Sequence, residues 1–208
     1  MDRGRLEAFS DGVFAVAITL LALDLAVPEP GHGLMGQQLV SHWPSFAAYV
    51  VSFLAIGIIW VNHHALLRNF AVVDRPMLFL NLLMLFFVVT IPFATATMAA
   101  YLREGGADAS LAAAIYQGVF VGMSAAFGGL LWWSVRKRHL TIPLTGAAAR
   151  TALIRFAIGN LAYAAAIGIA YVSAPASLVL SVLVAVYYVF EQTPGRQPAP
   201  AGAEPSDE

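Results

Sequence analysis

A polar motif followed by a long apolar run lies near the N-terminus of the chain. It opens with RLEAFSDG (residues 5–12) and continues as the apolar run VFAVAITLLAL (residues 13–23). A helix that crosses a membrane needs about 20 predominantly apolar residues, and this stretch supplies them. The carboxylate of Asp11 inside the run is costly in lipid, so we expect it to face protein or water.

The rest of the chain is equally poor in charge. Of the 208 residues, 60% are hydrophobic and 11% are charged, whereas a soluble domain carries roughly 25% charged residues. This composition excludes an ordinary cytosolic enzyme and a disordered protein. A net charge of −1 offers nothing to a polyanion, so no nucleic-acid partner is expected. The chain has no cysteine, which excludes disulfides and Cys-ligated metal sites.

Apolar runs bounded by charged residues, proline or glycine predict an all-α integral membrane protein with six transmembrane helices. The predicted spans are residues 6–27, 43–67, 77–102, 109–135, 152–172 and 176–190. Residues 1–191 then form one transmembrane domain. The Pro-, Ala- and acid-rich residues 192–208 are predicted to be a disordered cytoplasmic tail.

The distribution of basic residues predicts the orientation in the membrane. With six spans and a cytoplasmic N-terminus, ten of the eleven basic residues lie on the inner side and one on the outer side. The inner residues are Arg3, Arg5, Arg68, Arg75, Arg136, Lys137, Arg138, Arg150, Arg155 and Arg196, and the outer residue is Arg103. Because positive charge accumulates on the cytoplasmic side, both termini are predicted to be cytoplasmic.

The first span has two faces of different character. Val16, Leu20 and Leu23 form one stripe of the predicted helix, and Thr19 lies beside it. Asp11 lies about 140° from Val16, taking about 100° per residue. The stripe either packs against the protein's own helices or faces a partner or an aqueous axis, and helical spacing alone favours packing.

The first three spans also carry a motif that resembles a known family. The motif in the first span consists of Arg5, Phe9, Ser10, Asp11 and the run GVFAVAITLL at 12–21. The next two spans add WVNHH at 60–64, Asn81 and TIPF at 90–93. Together these residues resemble the signature of the transmembrane-protein-175 family of potassium channels, whose prokaryotic members are single six-helix repeats.

The resemblance implies a homotetrameric, potassium-permeable channel in the inner cell membrane, with no cofactor, no obligatory small-molecule substrate and no enzymatic activity. In this family the first helices line the pore, and the residue five after the motif aspartate forms a hydrophobic constriction. That residue is Val16 here, with Leu20 and Leu23 as the next rings and Thr19 as a polar neighbour that helps coordinate the cation. Such channels lack a carbonyl-lined filter, and hydrophobic constrictions gate by dewetting.

The resemblance further implies that the motif is a structural network rather than a pore lining. Ser10 and Asp11 hydrogen-bond to neighbouring helices, Phe9 belongs to the motif, and Arg5 shares in the network. The expected partners are Trp60, Asn81 and either His63 or His64. The two histidines differ by 100° on their helix, so we expect at most one of them to face the motif, and we favour His64.

Other functions are compatible with some of the same residues. A proton-coupled transporter, with Asp11, Asp24 and the histidines as a relay, is the main alternative. Adjacent His63 and His64 lack the spacing of metal ligands on one helix face, so no metal site is expected. Ser124 lies in an apolar run without a His or Lys to activate it, which argues against a hydrolase. Asp24 either draws cations to an outer mouth or is a solvated acid at a helix end.

Overall fold

The computed structural model describes residues 2–25, 30–31, 33–144 and 146–189, excluding the side chain of Asp24. These residues form seven α-helices. The helices are α1 (Arg3–Leu20), α2 (Met35–Ser41), α3 (Trp43–Arg68), α4 (Arg75–Tyr101), α5 (Gly106–Arg136), α6 (Gly146–Ala170) and α7 (Ala174–Val189). The predicted all-α class is confirmed.

Five of the described helices are long and apolar enough to cross a membrane: α1 with the turn that follows it, α3, α4, α5 and α6. The sixth predicted span corresponds to α7, which is apolar but has 16 described residues. Its predicted end at Phe190 and the predicted tail at 192–208 lie outside the described residues.

Two features of the first predicted span and the loop after it differ from expectation. The α-helix ends at Leu20 and tightens into a 3₁₀ turn over Leu21–Asp24, whereas the apolar run predicted a span to residue 27. Residues 26–27 lie outside the described part. The segment before the second span, expected to be a loop, contains the seven-residue helix α2. Helix ends are set by local hydrogen bonding, which apolar composition does not encode.

Polar caps fix where the helices begin. The Asp2 carboxylate accepts a hydrogen bond from the Gly4 amide at the start of α1. The Asp74 carboxylate accepts one from the Met77 amide at the start of α4 (3.0 Å), and this satisfies an amide that has no intrahelical partner. Between α4 and α5 the chain reverses at Gly105 and Gly106, whose φ values are 71° and 69°. Glycine adopts this left-handed region without a steric penalty.

The core lies around α5, which packs against α4 on one side and α6 on the other. Met84, Val88 and Leu130 are fully buried at the α4–α5 contact. On the other side, the rings of Phe127 and Phe156 stack with centroids 4.8 Å apart. The helix α1 packs against α3 and α4 at the edge of this core and contributes Leu6, Phe14 and Ala17 to it.

The loop between α3 and α4 and the loop between α5 and α6 are tied to each other. A single antiparallel bridge joins Phe70, between α3 and α4, to Leu140, between α5 and α6. The Ala71 amide donates to the His139 carbonyl and the Thr141 amide donates to the Asn69 carbonyl, both at 2.8 Å. These bonds fix the loop that follows α3, and through it the end of the helix against which α1 packs.

Candidate functional site: the first helix and its anchoring network

One face of α1 is buried and the opposite face is exposed. The buried positions recur every three or four residues and are Leu6, Ser10, Phe14 and Ala17, followed by Leu21 in the turn. This spacing places them on one stripe of the helix, turned toward α3 and α4. The residues predicted to form the constriction lie on the other side.

A buried chain of hydrogen bonds joins α1 to α3 and α4. The Ser10 hydroxyl donates to the Leu6 carbonyl (2.9 Å) and accepts from Asn81 Nδ2 (3.0 Å). Asn81 Oδ1 in turn accepts from His63 Nε2 (2.7 Å). All three side chains are fully buried. Because the amide oxygen can only accept, the network assigns the proton to Nε2, and Nδ1 has no partner among the described residues.

A second set of contacts connects α1 to α3 at a spacing of four residues. Asp11 Oδ1 accepts from Trp60 Nε1 (2.8 Å), and Glu7 Oε1 lies 3.1 Å from His64 Nδ1. At the start of the helix, Arg3 Nη1 donates to the Arg68 carbonyl (3.0 Å). Residues 3, 7 and 11 thus meet residues 68, 64 and 60 in reverse order. We call this set the α1–α3 ladder; it is what two antiparallel helices produce when each presents every fourth residue.

The middle contact of the ladder depends on the charge of His64. His64 Nδ1 and Glu7 Oε1 are close, but no hydrogen bond of normal geometry joins them. The contact is therefore an ion pair when the imidazole is protonated and a weak polar contact when it is neutral. The ring of His64 also packs beside that of Trp60, with centroids 5.6 Å apart.

The structure places His63, rather than the favoured His64, in the chain with Ser10 and Asn81. The expectation that at most one histidine faces the first helix does not describe the geometry. The two side chains lie 100° apart around α3. His63 points toward α4 and toward Phe14 of α1, whose ring centroid lies 5.4 Å from that of His63. His64 points toward the first turns of α1. Because α1 rests in the groove between α3 and α4, it meets both directions.

Other motif residues take different positions from those expected. Arg5 is exposed and has no partner among the described residues, and Phe9 is 51% exposed. Arg3 and Glu7, which sequence reasoning missed, make the remaining ladder contacts. Their spacing of four and eight residues before Asp11 was the available signal.

The predicted constriction residues form an exposed apolar stripe. Val16, Leu20 and Leu23 are 53%, 39% and 78% exposed in the single chain. The Thr19 hydroxyl is also exposed and donates to the Ala15 and Val16 carbonyls (3.0 and 2.9 Å). With its proton engaged inside the helix, the oxygen presents a lone pair outward. The side chain of Asp24 lies outside the described part of the chain.

A separate cluster joins the start of α4 to the end of α5. Asp74 accepts from Trp133 Nε1 (2.9 Å) as well as from the Met77 amide, and His139 Nδ1 lies 3.7 Å from its carboxylate. Partial desolvation raises the pKa of Asp74, but these two hydrogen bonds and the nearby charges of His139 and Lys137 outweigh it and lower the pKa below its ordinary value.

Comparison with protein families places this geometry in a known group. The family model described as the endosomal/lysosomal potassium channel TMEM175 matches residues 5–92, which contain most of α1, all of α2 and α3, and most of α4. A potassium channel of Streptomyces collinus is 52% identical over 195 residues, covering 93% of this chain and 94% of that protein. The human endosomal/lysosomal proton channel TMEM175 is 37% identical over 113 residues, which is 50% of this chain and 22% of the human protein.

Solved structures agree with the sequence comparisons. The crystal structure of a lysosomal potassium-selective channel TMEM175 homolog from Chamaesiphon minutus has a TM-score of 0.80 and 32% identity, and covers 92% of this chain and 98% of that one. The fold described above is therefore that of the TMEM175 channels.

Proposed function

The chain belongs to the TMEM175 family, and on that premise we propose that it forms a potassium-permeable cation channel in the inner cell membrane. The bacterial relative from Streptomyces collinus, named a potassium channel, is similar over nearly the whole chain. We propose that α7 is the sixth span, that both termini are cytoplasmic and that residues 192–208 form a cytoplasmic tail. Arg3, Arg68 and Arg136 then lie on the same side of the membrane.

The pore is proposed to run along the exposed face of α1 at the axis of a homotetramer. The observation that carries this proposal is the contrast between the two faces of the helix. One face is fixed by the buried chain and the ladder, while Val16, Leu20 and Leu23 lie exposed on the other. A single helix cannot enclose a pore, so the stripe becomes a set of rings only when several copies surround one axis.

Conduction through such rings is passive and depends on whether water fills the constriction. When the rings of Val and Leu side chains are wide enough, water and ions pass through in single file; when they are narrower, water leaves the constriction and conduction stops. The outward lone pair of Thr19 adds an oxygen beside the rings for a partly hydrated cation. At the outer end, four Asp24 carboxylates would raise the local concentration of cations by electrostatic attraction.

The anchoring network sets the rotation of α1. Ser10, Asp11, Trp60, His63 and Asn81 hold the helix at two points on different sides, so a rotation that moves Val16 off the axis must break buried hydrogen bonds. We propose that His64, which lies beside Glu7, completes this network at the cytoplasmic end.

Flux measurements with matched variants test the pore assignment. The purified protein in liposomes should conduct potassium down its gradient, and Val16→Asn or Leu20→Asn should change flux or the preference for potassium over sodium. Leu161→Asn is the control because Leu161 is 70% exposed on α6, away from α1. Equal fluxes in all variants, or no potassium flux at all, would contradict the proposal.

Proton permeation is a second candidate, favoured by the names of the animal relatives, which are called endosomal/lysosomal proton channels. A pH-sensitive dye trapped in the same liposomes measures it. If Val16→Asn reduces acidification of the liposome interior in parallel with potassium flux, both ions use one pore. An internal pH that stays unchanged with the wild-type protein would exclude proton permeation.

A further inference from the structure

Three consecutive cations lie exposed where α5 ends. Arg136 is the last residue of the helix, and Lys137 and Arg138 follow it in the turn. The turn is closed by a backbone hydrogen bond from the His139 amide to the Ser134 carbonyl (2.9 Å). The bridge that ties this loop to the loop after α3 begins directly beyond it. The backbone that carries the three charges is therefore held at both ends.

Arg138 has a backbone conformation that normally selects glycine. Its φ is 57°, and no other residue except glycine has a positive φ in the part of the chain that the structure describes. The residue that follows a helix in this left-handed conformation is usually glycine, because a Cβ crowds the backbone there. A strained residue of this kind points to a use for its side chain.

Two of the three cations lie over tryptophan rings. The Arg136 guanidinium carbon is 5.6 Å from the centroid of the Trp132 ring, and Lys137 Nζ is 5.1 Å from that of Trp133. Trp132 is 47% exposed. Tryptophan is enriched where the hydrocarbon of a bilayer meets the headgroups, so this ring places the Arg136 charge at headgroup level.

The charge of this cluster is only partly balanced within the protein. Asp74 faces Lys137 and His139, and both of its carboxylate oxygens already accept hydrogen bonds. Arg136 and Arg138 form no ion pair with any residue that the structure describes. Their two positive charges are therefore available to an anion from outside the chain.

We propose that Arg136, Arg138 and Trp132 bind an anionic phospholipid, such as phosphatidylglycerol, in the leaflet on the proposed cytoplasmic side. The lipid phosphate pairs with the two guanidinium groups, whose donors suit phosphate oxygens, and the glycerol backbone and first methylenes contact the indole. Clusters of basic residues beside a membrane helix attract anionic headgroups.

The positive end of the helix has simpler explanations that do not account for all of these features. Cations near a helix C-terminus interact favourably with the helix dipole, and positive charge accumulates on the cytoplasmic side. Neither effect requires an arginine in the left-handed conformation of residue 138. The proposal rests on the orientation proposed above and not on potassium conduction, so binding and flux can fail independently.

Native mass spectrometry of the purified channel, titrated with phosphatidylglycerol or with phosphatidylcholine of the same acyl chains, tests this site. The wild type should bind phosphatidylglycerol saturably and more tightly than phosphatidylcholine. Arg138→Gly should raise the half-saturating concentration about fivefold, the effect of one cation near an anionic lipid, and Arg136→Gln/Arg138→Gln about 25-fold. Because glycine suits the left-handed turn, the melting temperature of Arg138→Gly in lipid-free detergent should be unchanged or higher.

Arg150→Gln/Arg155→Gln is the matched control, because it removes the same charge from two exposed positions on α6. It should bind as the wild type does. Equal losses in the two double variants would mean general attraction rather than a site, and would overturn the proposal. So would Arg138→Gly that binds normally or loses stability together with binding, phosphatidylcholine that binds equally well, or glycerol phosphate that competes as effectively as the lipid.

Discussion

The buried chain from His63 through Asn81 to Ser10 makes a quantitative prediction about stability. Ser10→Ala removes the acceptor of Asn81 Nδ2 at 3.0 Å. Ser134 provides a matched control, because both serines are fully buried and both donate to their own helix, at 2.9 and 2.7 Å. Within the described part of the chain, the Ser134 side chain makes no hydrogen bond to another helix, so the difference between the two alanine variants isolates the interhelical contact.

The size of the effect follows from what each variant leaves unpaired. Hydrogen bonds between membrane helices contribute about 0.6 kcal/mol on average and at most about 1.7 kcal/mol, so Ser10→Ala should exceed Ser134→Ala by an amount in that range. Asn81→Ala also leaves the His63 Nε2–H group without its hydrogen-bond acceptor. A buried donor without a partner costs about 1–3 kcal/mol, so Asn81→Ala should lower the free energy of unfolding by about 2–4 kcal/mol.

Unfolding in mixed micelles, followed by tryptophan fluorescence at one protein concentration, measures these differences. The expected order of destabilisation is Asn81→Ala, then Ser10→Ala, then Ser134→Ala. Equal effects of the two serine variants, with Asn81→Ala no worse than either, would refute the role given to the chain.

Three further predictions concern the ladder, the cluster around Asp74 and helix packing. Asp11→Ala should impair assembly in size-exclusion chromatography, whereas Asp11→Asn, which keeps an acceptor for Trp60, should assemble better; a normal tetramer from Asp11→Ala would count against the ladder. Because the folded-state pKa of Asp74 lies below its ordinary value of 3.8, its stabilising effect is complete above that pH and is lost as the pH falls through the lower folded value. The stability difference between wild type and Asp74→Asn, measured by thermal unfolding, should therefore shrink below about pH 4, and a constant difference down to pH 2 would contradict this. Gly122→Ala places a methyl 2.3 Å from an aromatic ring of α4 and should destabilise by about 1–3 kcal/mol, while Gly118→Ala, which meets nothing within 4 Å, should be neutral or stabilising in the same assay.

The sequence predicts the bounds of α3, α4 and α5 to within three residues, because the apolar runs that the membrane requires are visible in composition. The start of α6 is predicted less well, because the helix begins at Gly146 and the apolar run predicted residue 152. The sequence does not predict where α1 ends or that α2 forms. The change to a 3₁₀ turn after Leu20 and a seven-residue helix both depend on a few local hydrogen bonds. These bonds leave no periodic pattern in the sequence.

The sequence predicts most of the residues of the anchoring network but not which of them pair with each other. Ser10, Asp11, Trp60 and Asn81 are polar groups in apolar helices, so each needs a partner from a neighbouring helix. The choice between His63 and His64 depends on how α1 lies in the groove between α3 and α4. That crossing is a tertiary property, and neither helix alone determines it.

Cysteine substitution provides the most direct measurement of the central claim, that the exposed stripe of α1 lines the pore. The chain has no native cysteine, so Val16→Cys can be made in an unmodified background. A ring of four thiolates on the axis would bind Cd²⁺, because soft thiolate ligands favour such ions. We predict that micromolar Cd²⁺ blocks potassium current through Val16→Cys and leaves both the wild type and Leu161→Cys unaffected. Potassium current through Val16→Cys that is insensitive to Cd²⁺ would contradict the claim.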